Sequence, residues 1–164
     1  MVVVADSSPL NYLALIDEIQ ILAELFGRVL IPEAVFRELQ SARTPSKAAA
    51  SISSRPHWLV VQKPPALVED KAMEKLGRGE REAIALSLPH RPEVLLLIDE
   101  GKGRREACGH EISVMGTLGI LDMAASRGPI DLPKTIERLI QTNFYVTPIL
   151  LSRLLERHAQ RQAR

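Results

Sequence analysis

The feature that most constrains the fold is an apolar run at residues 94–98 with the sequence VLLLI. Its length suits a β-strand, and because both faces of that strand are apolar, both must be covered by other parts of the chain. Strands that are buried on both faces are typical of parallel sheets flanked by helices. Residues 2–5, VVVA, repeat the pattern. The two runs therefore predict a buried parallel sheet.

Strand and helix patterns alternate along the rest of the chain. Further strands are predicted over residues 28–31, 58–62 and 112–115. Apolar residues at intervals of three or four predict helices between them. The helical ranges are 9–26 with a break near Asp17, 33–40, 67–76, 80–88, part of 101–109, 118–126, 133–142 and 148–162, with a loop and a short helix over 41–56. This alternation predicts a three-layer α/β/α sandwich with a mostly parallel sheet of about five strands.

Length and composition agree with one compact domain. The chain has 164 residues, of which 46% are hydrophobic and 25% charged, and this is enough to bury one sizeable core. We predict a single domain over residues 1–164, with C-terminal helices at about 133–162 packed on it or extending it. The single cysteine, Cys108, excludes an intramolecular disulfide.

Two observations bear on the location of the protein. The N-terminal apolar run ends at Asp6 and is too short for a signal peptide. The longest apolar run has the length of a strand, far below the roughly 18 residues that a membrane span needs. We therefore expect a cytoplasmic protein that does not contact a membrane.

Acidic residues occupy the positions where ligands of such a sheet bind. Asp6 directly follows the first strand, and Asp99 directly follows the run at 94–98. Because ligands of open parallel sheets collect at the carboxyl ends of the strands, both aspartates are expected at one edge. Glu38 and Glu80 lie on helices that can reach the same edge. Taken singly, each acid has an ordinary explanation as a helix cap, a turn residue or an exposed helix position.

Together these segments resemble PIN-domain nucleases, small Mg²⁺-dependent ribonucleases that include the toxins of many bacterial toxin–antitoxin pairs. The resemblance covers nearly the whole chain, through VVADSSPL, IPEAVFREL, LGRGEREAIALSL, LLLIDEGKGRREA and GTLGIL. The spacing is similar to that of stand-alone members described only as predicted nucleic-acid-binding proteins. The resemblance implies that the catalytic acids are Asp6, Glu38, Glu80 and Asp99. It also matches Ser8 to the hydroxyl that follows the first aspartate, and it places Thr117 at the same edge.

Two positions depart from the usual pattern of that family. The third acid is more often aspartate, and Glu82 offers an alternative alignment to Glu80. The spacing in sequence between the acid and the apolar run AIAL favours Glu80, and Glu82 is the alternative third acid. Many relatives have a second aspartate after the fourth strand, where this chain has Glu100, which is expected to support a second metal ion or none.

The chemistry of these acids favours a divalent cation. Mg²⁺ and Mn²⁺ take oxygen ligands in near-octahedral geometry, and clustered carboxylates without a cation repel one another. We expect Asp6 and Asp99 to bind the metal ion directly, Glu38 and Glu80 to hold its waters or orient the nucleophile, and Ser8 to support them. The metal ion would activate a water and stabilise the charge that builds on the phosphate.

Basic residues supply the expected contacts to RNA. The net charge of +1 does not by itself indicate a nucleic-acid-binding protein. A local basic cluster follows Asp99, however, and we expect it to hold the phosphates of single-stranded RNA; its members are Lys102, Arg104 and Arg105. The C-terminal arginines at 153, 157, 161 and 164 are more simply explained as the solvated face of a helix. The resemblance also implies a homodimer and, for a toxin, a cognate antitoxin protein.

Two alternatives to a ribonuclease share features with this sequence. One is a non-catalytic module that keeps the PIN scaffold and binds nucleic acid or protein. The other is a phosphatase of the haloacid-dehalogenase type, which requires Asp-x-Asp after the first strand, whereas this chain has Ser8 in place of the second aspartate. The histidines and the cysteine show no paired spacing of zinc ligands, and no Walker A or dinucleotide-binding fingerprint occurs; the residues concerned are His57, His90, Cys108 and His110.

Overall fold

The computed structural model describes residues 1–41, 43–66 and 70–163. Within these ranges the strands form one sheet and helices cover both of its faces. The strands are β1 (Val2–Ala5), β2 (Val29–Ile31), β3 (Leu59–Val61), β4 (Val94–Leu97) and β5 (Ser113–Met115). The helices are α1 (Ser7–Leu15), α2 (Ile21–Phe26), α3 (Glu33–Leu39), α4 (Ser46–Ser53), α5 (Arg78–Ser87), α6 (Gly101–Gly109), α7 (Thr117–Arg127), α8 (Leu132–Ile140) and α9 (Pro148–Gln162).

The sheet has the strand order β3-β2-β1-β4-β5, and all of its described pairs are parallel. β1 lies at the centre, and its last residue, Ala5, pairs with Leu97 at the end of β4. The strand order reverses direction at this pair, which is the position where open α/β sheets bind ligands. The predicted α/β/α sandwich with a parallel sheet is confirmed.

The alternation of side chains along each strand separates two cores. In β1, Val3 and Ala5 face the larger core, which also contains residues of α1–α4 and α7–α9. Val4 points to the opposite face, into a smaller core made with α5 and α6. Because each strand is apolar on both faces, the sheet becomes the middle layer of the molecule.

Several helix boundaries follow from local backbone chemistry. α1 ends at Leu15, and Asp17 then adopts a positive φ of 63°, which confirms the break predicted there. Gly128 ends α7 with a φ of 92°, a left-handed conformation that glycine adopts without a steric penalty. The short helix predicted within 41–56 is α4, although residue 42 of that segment lies outside the described ranges.

The helix predicted over 67–76 is wrong where the chain is described. Residues 67–69 fall outside the described ranges, and the remainder forms only one 3₁₀ turn, Met73–Lys75. Met73 and Leu76 are buried three positions apart, which suits a single 3₁₀ turn rather than an extended helical face. Gly77 is extended, so α5 begins at Arg78, earlier than predicted, and Glu80 lies in its first turn.

The C-terminal helix is attached to the rest of the described chain. Leu154 of α9 is buried in the larger core. Asp122 of α7 forms ion pairs with Arg157, at 2.8 Å, and with Arg161. Two of the arginines predicted to form a solvated face therefore bind a neighbouring helix. None of the described helices is long and apolar enough to cross a lipid bilayer.

Candidate active site

The predicted acids lie around the carboxyl ends of the two central strands. Asp6 follows β1, and its backbone N–H donates to the carbonyl of Leu97 at the end of β4, at 2.9 Å. Asp99 lies two positions after Leu97 in the sequence. Glu38 projects from α3 and Glu80 from the first turn of α5. These strands and helices bring the side chains close enough for their charges to act on one another.

Asp6 is the most perturbed of these acids. Its side chain is buried, with the residue 4% exposed, and its Oδ1 has no hydrogen-bond partner among the described residues. The pKa of Asp6 is raised to about 7, chiefly by burial and to a lesser extent by the charges of Glu80, Glu38 and Asp99, while the backbone N–H of Ser7 opposes the shift. A buried carboxylate with an unpartnered oxygen and acidic neighbours is chemically suited to binding a cation.

Asp99 is held by donors on two other elements. The backbone N–H and the hydroxyl of Thr117 donate to its two oxygens, each at 2.7 Å. The hydroxyl of Ser8 donates to Oδ2 at 3.1 Å. Because Thr117 is the first residue of α7, Asp99 also lies at the positive end of that helix. The predicted supporting residues Ser8 and Thr117 therefore contact Asp99 and fix the orientation of its carboxylate.

Glu38 connects α3 to the start of α5. Its Oε1 accepts a hydrogen bond from the backbone N–H of Gly79 at 3.1 Å. A Cβ atom on Gly79 would lie 2.6 Å from that oxygen, closer than any real contact allows. A glycine at position 79 is thus what allows the Glu38 carboxylate to approach the α5 backbone.

Glu80 lies between Asp6 and the start of α6. Its Oε2 accepts the backbone N–H of Gly77 at 2.9 Å, which caps α5. Burial raises the pKa of Glu80, the charges of Glu100 and Glu38 raise it further, and Gly77 and Lys102 oppose the shift. A Cβ on Gly103 would lie 3.2 Å from Oε1 of Glu80, so this oxygen faces the first turn of α6.

Glu82 has a different environment from Glu80. It is buried, and its carboxylate accepts the backbone N–H of Ala34 at 3.1 Å and pairs with Arg78 at 2.9 Å. No side chain of α3 caps the N-terminus of that helix, and Glu82 supplies the missing acceptor. Glu82 is not among the charges that raise the pKa of Asp6. The geometry therefore favours Glu80 over Glu82 as the third acid of this site.

The residues after Asp99 form the first turn of α6. Glu100 caps the helix, because its Oε2 accepts the backbone N–H groups of Lys102 and Gly103 at 2.7 and 2.9 Å. Lys102 is exposed and close enough to Glu80 to affect its pKa. Arg104 donates to the carbonyl of Ile98 at 3.1 Å. The acidic edge therefore has basic side chains along one side.

Two clefts flank the acids. The larger, of about 840 Å³, lies beside Asp99 and Arg104 and extends to Tyr145 and Arg153 near and within α9. The smaller, of about 320 Å³, is lined by Glu38 and Arg43 among others. Ser8 and Tyr12 line both clefts. Arg105 does not line either of these two clefts.

The sequence patterns did not indicate the residues that shape the larger cleft. The hydroxyl of Tyr12 donates to Asn143 at 3.1 Å, and its ring packs edge-on against Phe144 with centroids 4.9 Å apart. The ring of Tyr145 is 82% exposed. These contacts join α1 to the segment before α9, which is distant in sequence. Only the packing of the C-terminal helices brings these aromatic side chains to the acidic edge.

The residues of the acidic edge fit a divalent cation. Their donor set is made of oxygens, and the unpartnered Oδ1 of Asp6 offers a free ligand atom. Among the described residues, no three of the four predicted acids have ligand atoms mutually within 4.8 Å. Mg²⁺ is usually bound by one or two carboxylates while keeping several waters, which suits this more open arrangement.

A tighter group of metal-ligand side chains lies away from these acids. The ligand atoms of Asp70, Glu106 and His110 all lie within 4.8 Å of one another. The histidine and cysteine spacings in the sequence did not indicate this group, because it combines a histidine with two carboxylates, one of them from a distant segment.

The chain is an open α/β domain with a parallel sheet, and acids lie around the carboxyl ends of its two central strands. A family model described as a PIN domain matches residues 2–160 of the chain. The chain belongs to the PIN-domain family and has the nuclease fold of that family. A search of curated proteins found no significant match.

Proposed function

We propose that this protein is a ribonuclease that depends on Mg²⁺ or Mn²⁺ and hydrolyses phosphodiester bonds of single-stranded RNA. The observation that carries the proposal is Asp6, a buried carboxylate with an unpartnered oxygen whose pKa is raised to about 7 by burial and by its acidic neighbours. A structural aspartate of this kind would destabilise the fold without compensation. A cation at this position supplies that compensation.

The four acids would have different roles in binding the metal ion and its waters. Asp6 and Asp99 follow the adjacent central strands β1 and β4 and would hold the metal ion, while Glu38 and Glu80 would accept hydrogen bonds from its waters. Ser8 and Thr117 orient the carboxylate of Asp99 through their hydrogen bonds. When bound, the metal ion would lower the pKa of a water and stabilise negative charge on the phosphate.

The cleft beside Asp99 supplies contacts for the polynucleotide. Arg104 and Arg153 line it and carry positive charge suited to phosphates. The exposed ring of Tyr145 offers a face on which a base can stack. Lys102 and Arg105 are exposed on α6 and would add phosphate contacts outside the cleft. A single strand has the unstacked bases that such a surface requires.

Cleavage of labelled single-stranded RNA tests the proposal. Asp6→Asn and Asp99→Asn should each reduce the Mn²⁺-dependent rate by about 100-fold or more, the usual loss when an electrostatic catalytic group is removed. Glu24→Gln is the matched control, because Glu24 is an exposed acid in α2. Circular dichroism establishes that each variant is folded. Equal rates in the wild type and both aspartate variants would refute the assignment of the site.

RNA cleavage, RNA binding and Mn²⁺ binding together distinguish an enzyme from a non-catalytic binding module. A non-catalytic protein would retain RNA in a filter-binding experiment, yet it would show neither cleavage nor binding of Mn²⁺ in the millimolar range. Isothermal titration with Mn²⁺ on the wild type and on Asp99→Asn completes the comparison. The catalytic proposal requires Mn²⁺ binding that is lost or weakened in the variant.

We further propose a toxin role in the cytoplasm, with a cognate antitoxin protein as partner. Membership of the PIN-domain family supports this role. Induced expression in a bacterial host should arrest growth for the wild type and spare it for Asp99→Asn, with cellular RNA cleaved only in the first case. Normal growth with active enzyme would instead indicate an RNA-processing role.

A homodimer is the proposed oligomeric state. Ile149 and Leu150 at the start of α9 are 67% and 51% exposed. Exposed apolar side chains of this size support self-association. Light scattering coupled to size-exclusion chromatography should give twice the mass of 18.2 kDa, and a Leu150→Lys variant should shift the protein to monomer. A monomeric wild type would refute the proposal.

A further inference from the structure

A group of two carboxylates and one imidazole lies at the C-terminal end of α6. Glu106 and His110 are four positions apart, so they lie on the same side of one helical turn. Asp70, which precedes the 3₁₀ turn at Met73–Lys75, brings a third ligand from another segment. The three ligand atoms are mutually within 4.8 Å.

The distances in this group suit a shared metal ion. Nε2 of His110 lies 3.2 Å from Oε1 of Glu106. Ligand atoms bonded to one Zn²⁺ ion at about 2.0–2.2 Å are separated by roughly 3.0–3.6 Å. The Glu106–His110 pair already has this separation, and rotation of the exposed Asp70 side chain can bring its carboxylate to the same point.

The backbone around the group is anchored by contacts outside it. The carbonyl of His110 accepts a hydrogen bond from Arg91 at 3.0 Å. The carboxylate of Asp70 accepts the backbone N–H of Ala72 at 3.2 Å. The end of α6 that carries His110 is therefore held by a distant residue before any ion binds, which reduces the entropy lost on binding.

No described Lys or Arg side chain forms an ion pair with the two carboxylates of the group, because none of their nitrogens lies within 4.0 Å of the carboxylate of Asp70 or Glu106. Two carboxylates with a neutral imidazole carry a charge of about −2, which a divalent cation neutralises. The ion pair between Glu106 and His110 requires a protonated histidine, and Asp70 takes no part in it.

We propose that Asp70, Glu106 and His110 form a binding site for a divalent transition-metal ion of the Zn²⁺ class, separate from the acidic edge of the sheet. An imidazole nitrogen with two carboxylate oxygens favours Zn²⁺, Co²⁺ or Mn²⁺ over Mg²⁺ or Ca²⁺, which prefer all-oxygen sites. α6 has nine residues and is therefore about 14 Å long. The proposed ligands are at its C-terminal end, whereas Glu100 and Lys102 are at its N-terminal end.

An ion at this site would link two segments that are more than 30 residues apart in sequence. It would connect the chain around Asp70 to α6, and α6 presents basic residues beside the candidate active site. Binding would therefore stabilise the folded state and hold the first turn of α6 in place. This inference does not depend on the proposed ribonuclease activity.

Co²⁺ is a direct probe, because a site with a nitrogen ligand and fewer than six ligands produces visible absorption bands. We expect such bands on addition of Co²⁺ to the wild type and to Asp99→Asn, in which the acidic edge is impaired. They should disappear on addition of Zn²⁺. Glu106→Gln and His110→Ala should lose them, whereas His57→Ala and Glu111→Gln, which change exposed residues outside the group, should keep them.

Thermal unfolding gives a second measurement. Zn²⁺ at about 100 times its Kd should raise Tm by roughly 5–10 °C for a chain of this length. The shift should persist in Asp99→Asn and His57→Ala and vanish in His110→Ala. An undiminished shift or an unchanged Co²⁺ spectrum in His110→Ala would overturn the proposal, as would the absence of Co²⁺ and Zn²⁺ binding to the wild type at millimolar concentration.

Discussion

Asp99 and Thr117 are joined by two hydrogen bonds, one from the Thr117 backbone N–H and one from its hydroxyl, both at 2.7 Å. Each bond reaches a different oxygen of the carboxylate, so the plane of that group is fixed relative to α7. The hydroxyl of Ser8 adds a third donor from α1. The aspartate after β4 is therefore oriented by two helices before any ligand binds.

Thr117→Val should show how much the orientation of the Asp99 carboxylate contributes to RNA cleavage, apart from any effect on folding. Valine keeps the shape of threonine and the backbone N–H, but it removes the hydroxyl donor to Asp99. We expect RNA cleavage to fall by about 10-fold while the free energy of unfolding falls by about 1 kcal/mol. Thr135→Val, at a buried threonine of α8, is the control and should lose stability without a specific loss of cleavage. Equal rates for the two variants would contradict the role given to Thr117.

Glu80 and Glu82 should respond oppositely to substitution. Glu82→Ala leaves the N–H of Ala34 without its acceptor and Arg78 without its partner, so the free energy of unfolding should fall by about 2–3 kcal/mol. Glu80→Gln keeps an acceptor for Gly77 and should mainly reduce cleavage. Urea denaturation and a cleavage assay measure both effects. A larger catalytic loss in Glu82→Gln than in Glu80→Gln would reverse the assignment.

The pKa of Asp6 predicts how stability depends on pH in metal-free protein. The folded-state pKa of about 7 lies above the unfolded value, so the folded state binds more protons between about pH 4 and pH 7. Stability should therefore fall as pH rises through this window, by up to about 1.4 kcal/mol per pH unit.

Asp6→Asn and Mn²⁺ provide the matched comparisons for this pH dependence. The variant lacks the ionisation and should show a flatter profile, apart from the smaller effect of Glu80, whose pKa is also raised. Saturating Mn²⁺ should flatten the wild-type profile, because the cation favours the charged carboxylate. A steep profile in Asp6→Asn would show that another group is responsible.

Gly79→Ala should be harmful although alanine normally favours helices. The new Cβ would lie 2.6 Å from the carboxylate of Glu38, which must move and lose its bond from the Gly79 N–H. Cleavage should fall at least 10-fold, as expected when a catalytic group is displaced. Gly109→Ala in α6 is the control, since nothing lies within 4 Å of its Cβ position, and it should keep full activity.

Arg104 and Arg105 should contribute differently to RNA binding. Arg104 lines the cleft beside Asp99, whereas Arg105 is exposed and outside both clefts. Arg104→Ala should weaken binding and reduce the slope of log K against log salt by about 0.7, the value for one lost phosphate contact in a single strand. Arg105→Ala should change that slope less. Identical slopes for the wild type and Arg104→Ala would show that Arg104 does not contact an RNA phosphate.

Much of the fold follows from features that are local in sequence. The runs at 2–5 and 94–98 are apolar on both faces, and such strands have few stable environments other than the middle of a parallel sheet. The placement of Asp6 and Asp99 follows from the ends of those strands. Over the described residues 70–76 the predicted helix was wrong, because periodicity cannot distinguish one buried 3₁₀ turn from a short amphipathic helix.

The finer features of the site depend on packing between distant elements. Residues 80 and 82 are rotated by about 200° around α5, so the choice between them depends on which side of that helix faces the sheet edge. The contact of Tyr12 with Asn143 and the approach of Asp70 to His110 each join segments with no common sequence pattern. Only three-dimensional contacts reveal such pairs.

The central position of β1 has a consequence for translation. β1, which is synthesised before the other described strands, pairs on one side with β2 and on the other with β4, whose residues are synthesised much later. A nascent chain that ends at residue 93 contains Asp6 and Glu38 but lacks both β4 and Asp99. Asp99 gains its two bonds from α7 only after Thr117 has been added. Every truncated product shorter than this lacks the complete acidic edge.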